Sequence, residues 1–262
     1  MPHALVTGAS SGIGLSFAES LARRGYDLIL VARSTARLEA LGGQLATRHK
    51  VAVETWTADL ASDAGREHVA ARIAALSRLD LLVNNAGFAT TGKLSKTALD
   101  PQMEMLRLHM LAPMRLCVAA LPRMIAQGAG GIINVSSLAG FLYGPGNVNY
   151  AATKAYLTAF SLGLDTEVAS TGIRVQALCP GFTHTEIHDE MPEVKRQIPA
   201  WMWMNADRVA EISLRQLEAG GPVICVPGTR NRLIRRLLQL MPHRLRRTLA
   251  VRRRKRPGSK GE

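Results

Sequence analysis

The chain opens on an apolar run, His3 to Thr7, followed at once by Gly8-Ala-Ser-Ser-Gly12-Ile-Gly14 and then by a helical pattern from Leu15 to Arg24. A buried strand that stops at a glycine turn and restarts as a helix leaves few folds open. Glycines let the backbone approach a pyrophosphate closely, and the leading N–H groups of the helix, with its dipole, stabilise the anion. Three glycines alone mark an ordinary tight turn about as often as a ligand site. The flanking strand and helix tilt the reading towards a dinucleotide.

The next expected strand, Asp27 to Ala32, ends where such a fold meets the adenosine ribose. An acidic residue there would accept bonds from a free 2′-hydroxyl and repel a 2′-phosphate. Here Ala32 is followed by Arg33 and Ser34, which suits a phosphate. Strand-like and helix-like segments then alternate: 51–56, 62–77, 80–84, 101–127, 131–136, 149–170 and 173–178. That pattern predicts an α/β fold, a doubly wound parallel sheet with helices on both faces, as a single domain over residues 1–229. Ligands in such sheets bind at the carboxyl ends of the strands, where the glycine loop, Asn84, Ser137 and Pro180-Gly181 would converge.

The stretch from Ser137 to Lys154 has the residues for acid/base chemistry. A helix starting near Asn149 puts Tyr150 and Lys154 at i and i+4 on one face. A phenol with a pKa of about 10 is a poor proton carrier at neutral pH, and a neighbouring ammonium is expected to lower it. Ser137, at the carboxyl end of the run 131–136, is placed to hydrogen-bond a substrate oxygen. Taken in isolation, a Tyr-x3-Lys pair is usually a surface pair. Its context is what singles it out.

Taken together, Thr7-Gly-Ala-Ser-Ser-Gly-Ile-Gly14, Asp59-Leu60, Asn84-Asn-Ala-Gly87, Ser137, Tyr150-x3-Lys154 and Pro180-Gly181 with Thr185 resemble the short-chain dehydrogenase/reductase family over roughly residues 3 to 228. The resemblance implies a Rossmann-type sheet and an NADP(H)-dependent oxidoreductase that interconverts a carbonyl and a secondary alcohol. It implies that Gly8, Ser10, Ser11, Gly12, Ile13 and Gly14 cradle the pyrophosphate and that Asp59 and Leu60 lie at the adenine. Asn84 would fix the central strands, Asn85, Ala86 and Gly87 would line the cofactor beside them, and Pro180, Gly181, Thr183 and Thr185 would flank the nicotinamide. Tyr150 would be the proton donor or acceptor, Ser137 the carbonyl orienter, and Lys154 both a ribose ligand and the depressor of the tyrosine pKa. Reduction is the expected direction, because cellular NADPH is kept reduced, and the family is commonly dimeric or tetrameric.

One position departs from the pattern. In Arg107-Leu-His-Met-Leu-Ala-Pro113 the family usually has an asparagine that holds a water in the proton relay, and here His109 stands in its place. Histidine can also hold water, so a working relay is expected. The alternative is an NADP(H)-binding regulatory or interaction protein with weak or no turnover. After Pro180, the residues Phe182, Ile187, Met191, Trp201, Met202, Trp203 and Met204, with Phe141, Leu142 and Tyr143, suggest an apolar and even lipid-like substrate.

The formal charge of +13 is unevenly placed: from Arg230 onward there are 13 Lys/Arg and one Glu, so the body is near neutral. Residues 230–262 form a basic extension. Leu233, Ile234, Leu237, Leu238 and Met241 recur there at helical spacing, with Arg232, Arg235, Arg236 and Gln239 opposite. A thinner stripe follows from His243 to Arg256, and the end is expected to be disordered. Packing on the body and peripheral attachment to an anionic membrane are both open. Nucleic acid is disfavoured, because the tail lacks interleaved aromatics. Cys117, Cys179 and Cys225 lie in apolar segments without metal-ligand spacing and read as core residues of a reducing compartment. With a strand from His3 and no run near 18 apolar residues, no signal peptide or membrane span is expected, and cytoplasmic placement follows.

Overall fold

The structure, a computed structural model, describes residues 1–142, 144–186, 195–196, 198–242, 244–245 and 247–248. Ile187, Met191, Tyr143 and most of the stripe from His243 to Arg256 lie outside the described residues.

The described residues form a seven-stranded parallel sheet in the order β3-β2-β1-β4-β5-β6-β7. The strands are β1 (His3–Thr7), β2 (Asp27–Ala32), β3 (Val53–Thr57), β4 (Leu81–Asn84), β5 (Gly130–Val135), β6 (Ile173–Leu178) and β7 (Ile224–Cys225). The helices are α1 (Gly12–Arg23), α2 (Thr35–His49), α3 (Asp63–Ala75), α4 (Leu99–Leu106), α5 (Ala112–Gln127), α6 (Val148–Glu167), α7 (Ala206–Glu218) and α8 (Thr229–Leu240). The chain winds outward from β1 to β3, then crosses back to lay β4 on the other side of β1. The strand order reverses between β1 and β4, and their carboxyl ends open a crevice there.

Strand side chains alternate between two cores, as a period of two requires. Ala4, Val6, Leu81, Val83, Ile133 and Val135 pack with Phe17, Leu21, Leu38 and Leu214 from α1, α2 and α7. Leu5, Leu82 and Ile132 face the opposite way, onto Val69, Ile73, Leu116 and Met124 from α3 and α5. Because both faces are covered there, the inner strands β1, β2 and β4 read as continuous apolar runs, which is why they were visible in the sequence. The three cysteines are free and buried, and burial pushes their thiols up to about 12, 11 and 12 for Cys117, Cys179 and Cys225.

Two expectations need correction. The helix expected over 101–127 is broken by a π-turn at Arg107–Leu111. Pro113 supplies no N–H to the preceding turn, so the regular i to i−4 ladder cannot run through it. The whole run Leu99–Gln127 is also long and apolar enough to cross a membrane by length and composition, contrary to the sequence reading. It belongs instead to the α/β core, with Leu116, Cys117, Ala120 and Met124 buried.

Helix α8 divides its apolar residues differently from the single stripe expected. Asn231 is buried and Ile234, Leu238 and Met241 are half-buried, one face turned to the body, whereas Leu233, Leu237 and Leu240 are exposed on the other. The first helix of the basic extension therefore packs on the body. A Cβ on Gly181 would lie 2.8 Å from Asn231 Oδ1, and the Arg235 guanidinium lies 5.7 Å from the Phe141 ring centre.

Candidate active site

The crevice between β1 and β4 is held open by one hydroxyl. Thr7, the last residue of β1, donates from Oγ1 to the Val83 carbonyl at 3.3 Å and accepts from the Asn85 and Ala86 N–H groups at 2.9 and 3.0 Å. All of its hydrogen-bonding capacity is thereby used. Asn85 returns the tie, donating from Nδ2 to the carbonyls of Thr7 at 2.9 Å and Gly8 at 3.2 Å. This fixes the glycine loop to the end of β4, a role for Thr7 that its presence in the motif did not disclose.

Within the loop, Gly8 and Gly12 have φ of 63° and 55°, and a Cβ on Gly14 would lie 2.1 Å from the Gly8 carbonyl oxygen. Glycine is required at all three, twice for conformation and once for space. The N-cap residue of α1, Ser11, makes no side-chain bond to the first turn, so the leading N–H groups remain for an anion. These residues fit a dinucleotide pyrophosphate.

At the adenosine end, Ser34 caps α2 by accepting from the Arg37 N–H at 3.4 Å. The Arg33 side chain is 74% exposed and its guanidinium has a surface carboxylate, Glu104, at 3.7 Å. Such exposed pairs are worth little and exchange readily for a phosphate. Arg37, one turn on, pairs with Glu186 at 3.0 Å across the crevice. Asp59 accepts from the Ala61 N–H at 2.9 Å, while Leu60 buries its side chain in the core and leaves only its backbone for a ligand. The buried Arg66 guanidinium braces this turn through the carbonyls of Leu60 and Ala61 at 3.1 and 2.8 Å.

Tyr150 and Lys154 share one face of α6, as their spacing requires, and Ser137 follows β5. The Ser137 Oγ accepts from the Ala139 N–H at 3.1 Å, and its hydroxyl lies close enough to the Tyr150 phenol to act on its pKa. The expected pKa effect is reversed. Burial raises the Tyr150 phenol, the Ser137 hydroxyl only partly opposing it, and the ammonium of Lys154 is not among the causes. The Lys154 Nζ instead donates to the Val135 carbonyl at 2.9 Å and stands 5.7 Å from the centre of the tyrosine ring. Burial lowers its own pKa to about 8. Ser136 closes the joint, its Oγ donating to the Lys154 carbonyl at 2.6 Å, and the turn at 138–141 sits so close to α6 that a Cβ on Gly140 would lie 2.8 Å from the Ala155 nitrogen.

His109 is buried and has both ring nitrogens engaged. The Phe88 N–H donates to Nε2 at 3.2 Å, and Nδ1 lies 3.0 Å from the Thr153 hydroxyl. Thr153 donates to the Tyr150 carbonyl at 2.8 Å, so its oxygen accepts from Nδ1–H and the imidazole is neutral. Burial, then the Lys154 charge, hold its pKa well below the usual histidine range. The expectation that the ring carries a relay water is therefore corrected: with both nitrogens bonded to protein, His109 is a brace between the β4 loop and the catalytic helix. A Cβ on Gly87 would lie 2.6 Å from Nε2, which explains the glycine there. Asn84, also buried, donates to Asn134 Oδ1 at 2.9 Å and so ties β4 to β5 as expected.

The loop after β6 closes the crevice. Pro180 accepts from the Leu138 N–H at 2.9 Å, Thr183 bonds the Gly181 carbonyl at 3.1 Å, and the Thr185 methyl would lie 3.0 Å from a Cβ on Gly12. Thr185 thus faces the glycine loop. Of the apolar cluster, Phe182 and His184 pack on Trp203 at 5.6 and 5.0 Å between ring centres, and Met204 rests on the core. A cavity of about 420 Å³ between Gly12, Ser16, Thr185 and Asp207 lies on the α1–α7 side of this loop and does not include the Ser137–Tyr150 pair.

A family model described as short chain dehydrogenase matches residues 2–196. The human 3-oxoacyl-[acyl-carrier-protein] reductase is 33% identical over 229 residues, covering 85% of this chain and 95% of its own. Among solved structures, a short-chain dehydrogenase from Sphingobium yanoikuyae in complex with NADPH is 33% identical, with a TM-score of 0.84 over 100% of this chain and 99% of that one. The bulky-bulky ketone specific alcohol dehydrogenase from Comamonas testosteroni is 29% identical, with a TM-score of 0.79 over 93% and 96% of the two chains. The chain belongs to the short-chain dehydrogenase family and is a nicotinamide-dependent oxidoreductase.

Proposed function

We propose that the protein is an NADP(H)-dependent reductase of an apolar ketone. The observation behind this reading is the meeting of Ser137, just past the end of β5, with the Tyr150 phenol and the buried Lys154 ammonium, whose Nζ stands 5.7 Å from the tyrosine ring centre. The cofactor supplies the hydride. The chain's own residues bind the carbonyl oxygen and protonate it: Ser137 and Tyr150 both donate to that oxygen, and Tyr150 transfers its proton as negative charge develops there. The phenol is protonated at neutral pH, and because burial makes it a weaker acid its proton moves only to the strongly basic oxygen that hydride addition creates. The Lys154 ammonium is anchored on the Val135 carbonyl below the tyrosine ring, which leaves its remaining N–H groups for a bound cofactor.

The preference for a 2′-phosphate rests on Arg33 and on the missing carboxylate at Ala32, with support from the NADPH-bound relative at 33% identity. Arg37 stands one helical turn from Arg33 and adds a second cation to the same corner. For the substrate, Phe141, four residues after Ser137, offers apolar surface, and the Comamonas relative is named for bulky ketones. An exposed apolar stripe running from the π-turn onto α5, Leu111, Met114, Val118 and Ile125, is a surface on which two copies would assemble. The alternative of a nucleotide-binding protein without turnover was motivated by His109, and a ring with both nitrogens bonded to protein does not weaken it; what favours turnover is the complete set of Ser137, Tyr150 and Lys154.

The test is NADPH oxidation over a panel of bulky ketones, with Tyr150→Phe as the control. The variant keeps the ring and loses the hydroxyl, so turnover should fall at least about 100-fold while NADPH affinity changes little. Near-wild-type turnover in Tyr150→Phe, or no oxidation with any ketone, would remove the proposal.

A further inference from the structure

Helix α8 has more apolar surface than the body can cover. Its Asn231, Ile234, Leu238 and Met241 face inward, yet Leu233, Leu237 and Leu240, spaced four and three residues apart on the opposite side, are 58%, 54% and 83% exposed. Trp201, 61% exposed, extends this strip at the helix start, where Arg230 donates to its carbonyl at 3.2 Å and lays its guanidinium 5.2 Å from the ring centre. On a helical projection Arg232 and Arg236 flank the leucines on one side and Arg230 on the other, all three exposed. A continuous leucine strip with an exposed tryptophan and a border of arginines has the make-up of a helix that lies in the plane of a lipid interface.

We propose that this face docks on an anionic membrane surface, with Leu233, Leu237, Leu240 and Trp201 entering the headgroup boundary and Arg230, Arg232 and Arg236 meeting lipid phosphates. Charge decides between this occupant and a second copy of the chain. From Arg230 onward the sequence has 13 Lys/Arg and one Glu, so two such faces brought together would repel, whereas an anionic surface draws each of them in. The placement also has a geometric consequence. Arg235, on the body-facing side of α8, reaches the Phe141 ring at 5.7 Å, and Phe141 and Leu142 follow Ser137, so the inner face of the docked helix borders the reaction cleft while its leucines face away from it.

The experiment is vesicle flotation of the full-length chain at low salt, read independently of turnover. Wild type should float with vesicles of phosphatidylglycerol and phosphatidylcholine and stay behind with phosphatidylcholine alone. Arg232→Gln with Arg236→Gln should lower the partition about 30-fold, from about 1 kcal/mol per basic residue at 1.4 kcal/mol per tenfold. Leu233→Asn with Leu237→Asn, exposed positions whose melting temperature should match wild type, should lower it at least about tenfold through lost apolar insertion. The proposal is overturned if wild type does not float with the anionic vesicles, or floats equally well with the neutral ones. It is likewise overturned if the leucine variant floats as well as wild type, which would leave only a tail charge effect. Concentration-dependent self-association abolished by the leucine substitutions, without vesicle binding, would identify a second copy as the occupant and overturn it too.

Discussion

Replacing Lys154 by Met should stabilise the protein at pH 7 while abolishing turnover. The lysine is almost wholly buried, and its pKa falls from 10.5 to about 8. At about 1.4 kcal/mol per pH unit, keeping the charged form folded costs about 3 kcal/mol. Methionine removes that cost at similar volume, but leaves the Val135 carbonyl without the donor now 2.9 Å away, a loss of about 1 to 2 kcal/mol. The net gain is about 1 to 2 kcal/mol, a rise of a few degrees in Tm for a chain of this size. The sign changes with pH. Between about 8 and 10.5 the unfolded wild type binds one proton that the folded form has released, so wild-type stability from this group rises with pH and the variant has no such gain. Methionine should therefore be the more stable form at pH 7 and the less stable one near pH 10. The cysteine thiols, pushed up to about 11 and 12, pull the other way in this range; Cys117 and Cys225 cancel in the difference, whereas Cys179, held down in part by the Lys154 charge, rises further in the variant and so adds to its loss of stability at high pH. Urea unfolding of both proteins at the two pH values measures it. A variant less stable than wild type at pH 7, or a difference that does not move with pH, would refute the assignment of a desolvated ammonium.

Losing Arg33 should weaken NADPH binding roughly 10- to 150-fold, the worth of one charge-assisted bond, and Ala32→Asp with Arg33→Ala should move preference towards NADH. Equal NADH and NADPH affinities in the wild type, measured by fluorescence titration, would contradict the phosphate reading. His109→Leu leaves the Phe88 N–H without its acceptor and takes from the Thr153 oxygen the donor it now has, and should lower turnover about 100-fold with a fall in stability, whereas His109→Asn, which can still bond both sides, should stay within about tenfold of wild type. Equal kcat and Tm in all three proteins would show that the brace does nothing.

The sheet was legible because its inner strands β1, β2 and β4 are covered on both faces and so write unbroken apolar runs into the sequence, whereas the edge strand β3, Val-Glu-Thr-Trp-Thr, shows only part of such a run. β7 was not, since two residues, Ile224–Cys225, are too few to show any period. The π-turn at Arg107–Leu111 was hidden for the opposite reason: apolar residues continue through it, and only Pro113, one turn later, hints that a hydrogen bond must fail. Spacing put Tyr150 and Lys154 on one helix face, but where the ammonium points depends on the Val135 carbonyl of a strand that ends well before them. The same holds for His109, whose identity was plain while its partners, Phe88 and Thr153, come from a loop and a helix distant in sequence. Thr153 had a signal, since it lies three residues from Tyr150 and belongs to the same stretch of helix. Nothing around Asn231 pointed to Gly181.

That last contact changes how the C-terminal extension relates to the site. Drawing a boundary at residue 230 treats α8 as an appendage, yet Asn231 donates to the Pro227 carbonyl at 2.8 Å and approaches the Met204 sulfur at 3.3 Å. Its side chain also occupies the space that a Cβ on Gly181 would need. Pro180, the residue before that glycine, accepts from the Leu138 N–H, next to Ser137. A displacement of α8 would thus press first on the loop that closes the crevice and then on the turn that bears the serine, through contacts too short to absorb it. Seated where it is, α8 holds Gly181 against the crevice, so whatever fixes the outer face of that helix also fixes one wall of the active site.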